Sequence, residues 1–290
     1  MTSLTGDPDR YGVVGHPVAH SRSPFIHRRF AAETGESIRY ERFDVPPGQF
    51  PAAVGALAEV GILGLNVTLP HKLDALAFAD RLTDRARDAG AVNTLAWTTA
   101  GEVLGDNTDG AGLLRDLIVN LGTRLGGSRI ALLGAGGAAR GALAALTAVP
   151  VDELPGEIVI ANRTRSKADE LAAEYAARGP VSAGGYESLD GHFGLLINAT
   201  SASLAGAVPP IPAAAVDGDS LCYDMMYQAG PTAFLKWAHA AGAGRCADGT
   251  GMLVEQAAES FALWRGVRPE TGAVLTALKA ALAAADSGNV

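Results

Sequence analysis

The sequence contains little cysteine, few aromatic residues and no excess of positive charge. Two cysteines occur among 290 residues, and the separation of Cys222 and Cys246 matches neither a metal site nor a redox motif. We expect both to be small buried hydrophobic side chains in a reducing compartment. A formal net charge of -8 argues against nucleic acid or anionic membrane as a partner, since either requires a basic face.

Long apolar runs are missing as well. The most apolar region, residues 130–151, is interrupted by Gly134, Gly136, Gly137 and Arg140, which is not typical of a membrane span. The start of the chain carries Asp7 and Asp9 and lacks the apolar core of a secretory signal. We therefore predict a cytoplasmic protein with no membrane partner.

What remains is ordinary globular material, 48% hydrophobic and rich in glycine, with strand and helix patterns that alternate along the chain. This alternation predicts an α/β fold with mostly parallel sheets. The patterns indicate a helix capped by Ser23 with Pro24 at its first position, a helix over residues 110–121, and a helix capped by Ser166 that ends at Gly179. Two closing helices are expected over residues 251–264 and 269–284.

A glycine-rich turn follows the strand predicted over residues 129–133. Gly134, Gly136 and Ala139 form a G-x-G-x-x-A pattern between that strand and the next helix. Glycine allows a tight turn there and lets a pyrophosphate approach the backbone at the start of the helix. The motif is weak alone, but this context favours dinucleotide binding over simple packing.

The end of the next strand indicates which dinucleotide is bound. Binders of NAD place a carboxylate there for the ribose hydroxyl, whereas this chain has Asn162, Arg163, Thr164, Arg165 and, two residues on, a lysine. A 2′-phosphate requires cations and hydroxyl donors. The alternative is that Arg165 and the lysine are only solvent-exposed residues at the start of a helix. Against this, the positive charge of Arg163 opposes the helix dipole unless an anion is bound. NADP(H) is the predicted cofactor.

Polar residues also follow the first predicted strand. Ser21 and Ser23 lie in the loop after it, where α/β proteins bind ligands, although Ser23 could be only a helix cap. His16, His20 and His27 lie nearby, but no acidic or cysteine partner stands at ligand spacing. We predict no metal site.

A lysine and an aspartate are candidates for proton transfer. Asn66 and Thr68 lie on one face of a strand end, and Lys72 falls in the first turn of the next helix, whose positive end disfavours a protonated amine. Such a lysine can exchange a proton with a substrate oxygen, although a plain surface lysine is the commoner case. Asp109 ends a polar loop and is either a helix cap or the partner of Lys72. Asn93 is positioned to supply an amide to the same pocket.

Taken in order, these segments resemble the shikimate dehydrogenase family from Tyr11 to Val267. The matching pieces are GHPVAHSRSP, NVTLPHK, AGAVNT, GDNTDG, GAGGAAR, NRT, INATS, YDMMY and ADGTGMLVEQA. Each piece is modest alone, but the ordered set is highly specific. The resemblance implies a substrate-binding domain built from both chain ends, residues 1–109 and 245–290, with a Rossmann-like NADP domain, residues 110–244, inserted between them.

The resemblance also implies roles for individual residues. Lys72 and Asp109 match the family's catalytic pair. The residues that match its substrate contacts are Ser21, Ser23, Thr68, Lys72, Asn93, Asp109, Tyr227 and Gln256. Those that match cofactor contacts are Gly134, Ala135, Gly136, Gly137, Ala138, Asn162, Arg163, Thr164, Lys167, Thr200, Met225 and Gly249, with Asp84 as a weaker match.

The implied reaction is the reversible NADPH-dependent reduction of 3-dehydroshikimate to shikimate, a step toward chorismate and the aromatic amino acids. Two departures from the family pattern are Ser203, where glycine is usual, and Lys167, where arginine is common. One alternative is a quinate/shikimate dehydrogenase that uses NAD, and another is a non-enzymatic NADP(H) sensor. The partner is a small molecule, and the chain is expected to be a monomer or homodimer.

Overall fold

The computed structural model describes residues 7–202 and 206–287. The chain divides into two compact units, the first formed by residues 1–112 with 254–278 and the second by residues 113–253 with 279–290. The boundaries between them fall within three helices, α5 (Asp109–Arg115), α9 (Thr250–Arg265) and α10 (Gly272–Ser287). Among the described residues, no helix is long and apolar enough to cross a membrane.

The first unit contains a mixed six-stranded sheet. Its strands are β1 (Asp9–Gly15), β2 (Ile38–Asp44), β3 (Ile62–Val67), β4 (Arg81–Leu82), β5 (Thr94–Trp97) and β6 (Val103–Asp106), and its helices are α1 (Ser23–Thr34), α2 (Phe50–Glu59), α3 (Lys72–Phe78) and α4 (Asp84–Ala89). The spatial order is β2-β1-β3-β5-β6-β4. The β3–β5 and β5–β6 pairs are antiparallel and the other pairs are parallel.

Alternate residues of the first sheet enter two hydrophobic clusters. Val14, Leu65 and Leu95 pack with Phe50 of α2 in one cluster. Tyr11, Val13 and Tyr40 form the other, against Trp264 of α9. This period of two is what strands buried on both faces produce.

The second unit contains a fully parallel sheet. Its strands are β7 (Arg129–Leu133), β8 (Glu157–Ala161), β9 (Val181–Gly184), β10 (Leu195–Asn198), β11 (Leu221–Asp224) and β12 (Arg245–Asp248), and its helices are α6 (Gly137–Leu146), α7 (Arg165–Tyr175) and α8 (Ala233–Ala240). The spatial order, β12-β11-β10-β7-β8-β9, becomes 3-2-1-4-5-6 when the strands are renumbered within the unit. That is the Rossmann order, and it confirms the predicted fold class.

Burial explains why strands of the second sheet could be predicted from the sequence. Ile130 and Leu132 pack with α6 and α7 on one face of the sheet, while Ala131 and Leu133 pack with α8 on the other. A strand covered on both faces becomes an almost continuous apolar run. The strand predicted over residues 129–133 accordingly agrees with the bounds of β7.

Several local predictions were wrong. Helix α1 begins at Ser23 with Arg22 as its N-cap, and α7 is preceded by Thr164, so neither Ser23 nor Ser166 is the cap. Helix α7 ends at Tyr175, before the expected Gly179. The helix expected over residues 110–121 changes after Arg115 to a π-helix over Asp116–Asn120.

The two cysteines differ from the prediction in part. Cys222 is fully buried, as expected, but Cys246 is exposed. They lie directly opposite each other on the parallel strands β11 and β12. Position Ser203, the predicted departure near the cofactor, lies outside the described residues.

Candidate active site

Lys72 and Asp109 form an ion pair in the first unit. Lys72 begins α3, and Asp109 begins α5 directly after the loop that follows β6. The Lys72 Nζ donates to Asp109 Oδ2 at 2.5 Å, and the side chains are 31% and 22% exposed. The carboxylate is therefore engaged with the amine, and both groups remain accessible to a small molecule.

Asn93 holds the second oxygen of Asp109. Its Nδ2 donates to Asp109 Oδ1 at 2.8 Å and lies 3.5 Å from Gln256 Oε1. Its Oδ1 accepts from the Thr108 backbone N–H at 2.8 Å and from the Thr94 hydroxyl at 2.9 Å. Asn93 is buried, and a buried amide with both ends satisfied has a fixed orientation. The predicted residues Lys72, Asn93, Asp109 and Gln256 thus meet at one place.

Helix α9 reaches this place because α5 contains a glycine. A Cβ on Gly112 would lie 2.7 Å from the Gln256 backbone N and Cβ. Any side chain at position 112 would therefore push α9, and Gln256 with it, away from Asn93.

Beneath these residues lies a buried polar chain that sequence reasoning assigned no role. Asn66 Nδ2 donates to Ser260 Oγ at 2.8 Å and to Thr94 Oγ1 at 3.2 Å, and Asn66 Oδ1 accepts from the Tyr40 hydroxyl at 2.7 Å. His27 Nε2 lies 3.2 Å from the same Asn66 oxygen. Hydroxyl and amide side chains on β2, β3, β5 and α9 meet here, and no local pattern in the sequence records which residues of distant elements face each other.

His27 is a strongly perturbed titratable group in this network. Complete burial lowers its pKa from 6.5 to about 3, while the hydrogen bond with Asn66 acts in the opposite direction. Its ring stacks on Tyr40 with centroids 4.2 Å apart. His27 is thus a neutral, packed side chain.

Ser21 and Ser23 also lie together. Ser21 Oγ donates to Ser23 Oγ at 3.2 Å and accepts from the Ser23 backbone N–H at 3.3 Å. Thr68 is half-buried. Its Cγ2 would lie only 2.4 Å from a Cβ on Gly15, so Thr68 packs closely against the backbone of this glycine. Asp84 is an exposed residue of α4 that pairs with Arg87.

A cavity of about 800 Å³ lies in the second unit, at the ends of β7 and β8. Its lining includes Gly134 to Ala138, Asn162, Arg163, Arg165, Tyr186, Glu187 and Thr200. Gly134 has φ +108°, and Cβ atoms on Gly136 and Gly137 would meet nothing within 4 Å. The turn therefore leaves open space at the start of α6, as a pyrophosphate requires.

Two arginines face this cavity, and neither is buried. Tyr186 is buried, which raises its pKa, and the Arg163 backbone N–H donates to its oxygen and opposes that rise. Arg165 lies 3.5 Å from Asp169, one turn along α7. Thr164 and Lys167 are exposed and lie outside the lining described for this cavity.

The remaining predicted cofactor residues follow the ends of β10, β11 and β12. Thr200 donates through its hydroxyl and its backbone N–H to Asn198 Oδ1, at 2.7 and 3.1 Å. Gly249 touches the backbone of Met225, since a Cβ on Gly249 would lie 2.3 Å from the Met225 oxygen. Tyr227 is half-buried in the loop after β11.

Sequence reasoning missed the group that holds these strand ends. Asn198 Nδ2 donates to Asp224 Oδ1 at 3.1 Å, and the Thr232 hydroxyl donates to Asp224 Oδ2 at 2.6 Å. All three side chains are buried. A polar residue at the end of an apolar strand, as in INATS and CYDMM, was the available signal. Within the described ranges, no three His, Cys, Asp or Glu side chains are grouped to hold a metal.

The second unit has the Rossmann strand order and a glycine turn, and the first unit carries a lysine–carboxylate pair. Together these features define a dinucleotide-binding α/β protein of the oxidoreductase type. Comparisons with known proteins agree. The family model of the shikimate dehydrogenase substrate-binding domain matches residues 13–95, and that of the shikimate 5'-dehydrogenase C-terminal domain matches residues 249–279.

Whole-chain relatives extend the match. A shikimate dehydrogenase (NADP(+)) of Alkalilimnicola ehrlichii is 52% identical over 271 residues, which cover 93% of this chain and 98% of that protein. The crystal structure of an Ael1 enzyme from Pseudomonas putida is 44% identical with a TM-score of 0.87, covering 93% of this chain and 98% of that one. The shikimate 5-dehydrogenase of Thermus thermophilus, in complex with NADP(H) and shikimate, is 34% identical with a TM-score of 0.82, covering 94% and 99%. This chain belongs to the shikimate dehydrogenase family, as its sequence predicts.

Proposed function

We propose that this chain catalyses the reversible NADPH-dependent reduction of 3-dehydroshikimate to shikimate, on the way to chorismate and the aromatic amino acids. The observation that carries the proposal is the Lys72–Asp109 ion pair, accessible and held by Asn93. The family supports it, because the curated relatives are named for this activity and for NADP(+).

Lys72 handles the proton of the reaction. When bound, NADPH supplies a hydride to the C3 carbonyl carbon, which leaves negative charge on the carbonyl oxygen. The Lys72 ammonium stabilises that charge and delivers one proton to the oxygen, giving the C3 hydroxyl. In the reverse direction the neutral amine takes the proton back.

Asp109 keeps Lys72 in place and binds the substrate. One carboxylate oxygen accepts from Lys72 and the other from Asn93, so the carboxylate cannot turn without losing a charge-assisted hydrogen bond. The substrate hydroxyls and carboxylate are held by Ser21, Ser23, Thr68, Lys72, Asn93, Asp109, Tyr227 and Gln256.

The second unit holds the cofactor. The open space at Gly136 and Gly137 suits a pyrophosphate, and Arg163 and Arg165 suit a 2′-phosphate. The strand end before Arg163 carries Asn162 rather than the carboxylate that would repel such a phosphate. The proposed cofactor residues are Gly134 to Ala138, Asn162, Arg163, Thr164, Lys167, Thr200, Met225 and Gly249, with Asp84 as a weaker candidate.

The two alternatives are not favoured. An NAD-dependent quinate/shikimate dehydrogenase would be expected to keep an acid at position 162, and the curated relatives are named for NADP(+). A non-enzymatic sensor would have no need of the lysine–carboxylate pair, which is formed here.

The test is the absorbance of the reduced nicotinamide. Purified chain is assayed with shikimate or quinate and with NADP+ or NAD+. We expect shikimate with NADP+ to give the highest kcat/KM. Arg163→Gln should reduce the preference for NADP+ over NAD+ by about tenfold to 100-fold, since one phosphate contact is worth roughly 1.5–3 kcal/mol. Arg124→Gln, an exposed arginine outside the described cavity lining, is the matched control. A preference for NAD+ in the unmodified protein would reject the cofactor assignment.

We further propose that the only partner of the active site is a small molecule, that the chain works in the cytoplasm, and that it is a monomer or a homodimer. The composition supports the first two points, because the net charge is -8 and only two cysteines are present. Sedimentation at equilibrium tests the third, and a larger assembly would reject it.

A further inference from the structure

Arg42 contacts the loop that carries Ser21 and Ser23. It lies on β2, beside Val13 of β1 in register. Its Nε and Nη2 donate to the Ser21 carbonyl oxygen at 3.1 and 2.6 Å. Because two nitrogens of one rigid guanidinium donate to the same oxygen, they restrict the position and orientation of this loop.

No acid neutralises the charge of Arg42 within the described part of the chain. Over residues 7–202 and 206–287, its hydrogen bonds go to the Ser21 carbonyl alone, and no carboxylate forms an ion pair with it. Asp44, two residues along the same strand, instead approaches the His16 Nδ1 at 3.0 Å. Glu41 pairs with Arg39 and Arg10.

This positive charge stands beside the loop that carries the Ser21 and Ser23 hydroxyls. Burial raises the pKa of the nearby Tyr40 hydroxyl, and the Ser23 hydroxyl and the Arg42 charge both oppose that rise. Ser21 Oγ donates only to Ser23 among the hydrogen bonds described for it. Two hydroxyls on one loop, beside a cation that has no acidic partner in the described ranges, suit a carboxylate.

We propose that Arg42 is a positioning and specificity residue that makes the Ser21–Ser23 loop selective for an anionic substrate. It acts in two ways. It holds the loop through the Ser21 carbonyl, and it supplies positive charge to the carboxylate that the two serine hydroxyls bind. This inference rests on the proposed function and adds the residue that selects the acid over an uncharged analogue.

The experiment compares Arg42→Gln and Arg42→Lys with the unmodified enzyme, on shikimate and on its methyl ester. Arg39→Gln is the matched control, because Arg39 lies on the same strand and pairs with Glu41 instead of the loop. KM and kcat are measured for both substrates at low and high salt. Circular dichroism and the KM for NADP+ show that each variant is folded.

We expect Arg42→Gln to raise the KM for shikimate about tenfold and to leave kcat within about twofold, as loss of binding common to ground and transition states requires. The discrimination between shikimate and its ester should shrink by a similar factor, and so should the salt dependence of KM. Arg42→Lys should recover part of the loss, because it keeps the charge without the fork.

Equal losses on the acid and on the ester in Arg42→Gln would overturn the inference, since a purely structural role predicts them. An unchanged KM in that variant, or an equal change in Arg39→Gln, would also overturn it. Failure of the proposed function gives a different result, because the unmodified protein would then not oxidise shikimate with NADP+.

Discussion

Acid should destabilise this protein through His27. The side chain is completely buried in the first unit, its Nε2 faces Asn66, and its Nδ1 has no hydrogen-bond partner among the described residues. Burial lowers its pKa in the folded state from 6.5 to about 3. Below pH 6.5 the unfolded chain therefore binds a proton that the folded chain does not bind.

The size of the effect follows from this difference. Stability rises with pH wherever the unfolded state carries more protons, so the contribution of His27 is lost as the pH falls from 6.5 toward about 3. The slope in that window approaches about 1.4 kcal/mol per pH unit. Between about pH 7 and about pH 5 the loss is on the order of 2 kcal/mol, a large fraction of the stability of a typical domain.

The assay is urea unfolding of the unmodified protein and of His27→Phe at about pH 7, 6 and 5, the window over which the difference develops. Phenylalanine keeps the stacking on Tyr40 but cannot be protonated. Every other titrating group is common to the two proteins, so the difference between their pH slopes isolates position 27. Equal loss of stability in both proteins across this window would refute the assignment of a neutral, desolvated imidazole.

Further predictions concern the second unit. Gly249→Ala should destabilise the fold by about 1–3 kcal/mol and weaken NADP+ binding, because the new Cβ would lie 2.3 Å from the Met225 backbone oxygen; denaturation and fluorescence titration measure the two effects. Gly272→Ala, which meets nothing within 4 Å, is the control, and equal stability of both variants would contradict the packing argument. Iodoacetamide should modify the exposed Cys246 well before Cys222, because burial raises the pKa of the Cys222 thiol to about 12. Peptide mass spectrometry of the folded protein reads both sites, and equal rates would be inconsistent with the buried thiol.

The parts of the fold that the sequence predicted are those set by local rules. Strands β7 and β8 are covered on both faces, so their apolar runs were visible. The Gly134 turn needed φ +108°, and glycine marks such a conformation. The short strands β9 and β12 escaped notice because most of their residues are not buried, so they lack the continuous apolar run that marks β10 and β11. Helix α8 was also missed, although Thr232 caps it through the Leu235 N–H, a signal present in the sequence.

The parts of the site that could not be predicted from the sequence depend on contacts between residues far apart in the chain. Sequence motifs were sufficient to predict Lys72, Asn93 and Asp109 as site residues, because each belongs to a recognisable motif. The hydrogen bond from Asn66 to Ser260, 194 positions away, depends on the packing of α9 and has no counterpart in any local sequence pattern. Arg42 likewise looks like any polar residue of a half-exposed strand until its contact with the Ser21 carbonyl is known.

The central claim is that the Lys72 amine transfers the proton of the reaction while Asp109 holds it in place. The most direct measurement is the turnover of Lys72→Ala with saturating shikimate and NADP+, alongside shikimate binding by fluorescence titration and Lys236→Ala as an exposed-lysine control. We predict a loss in kcat of about 10²–10⁴, the usual contribution of a positioned proton donor, with little change in binding. Turnover close to that of the unmodified enzyme would contradict the account.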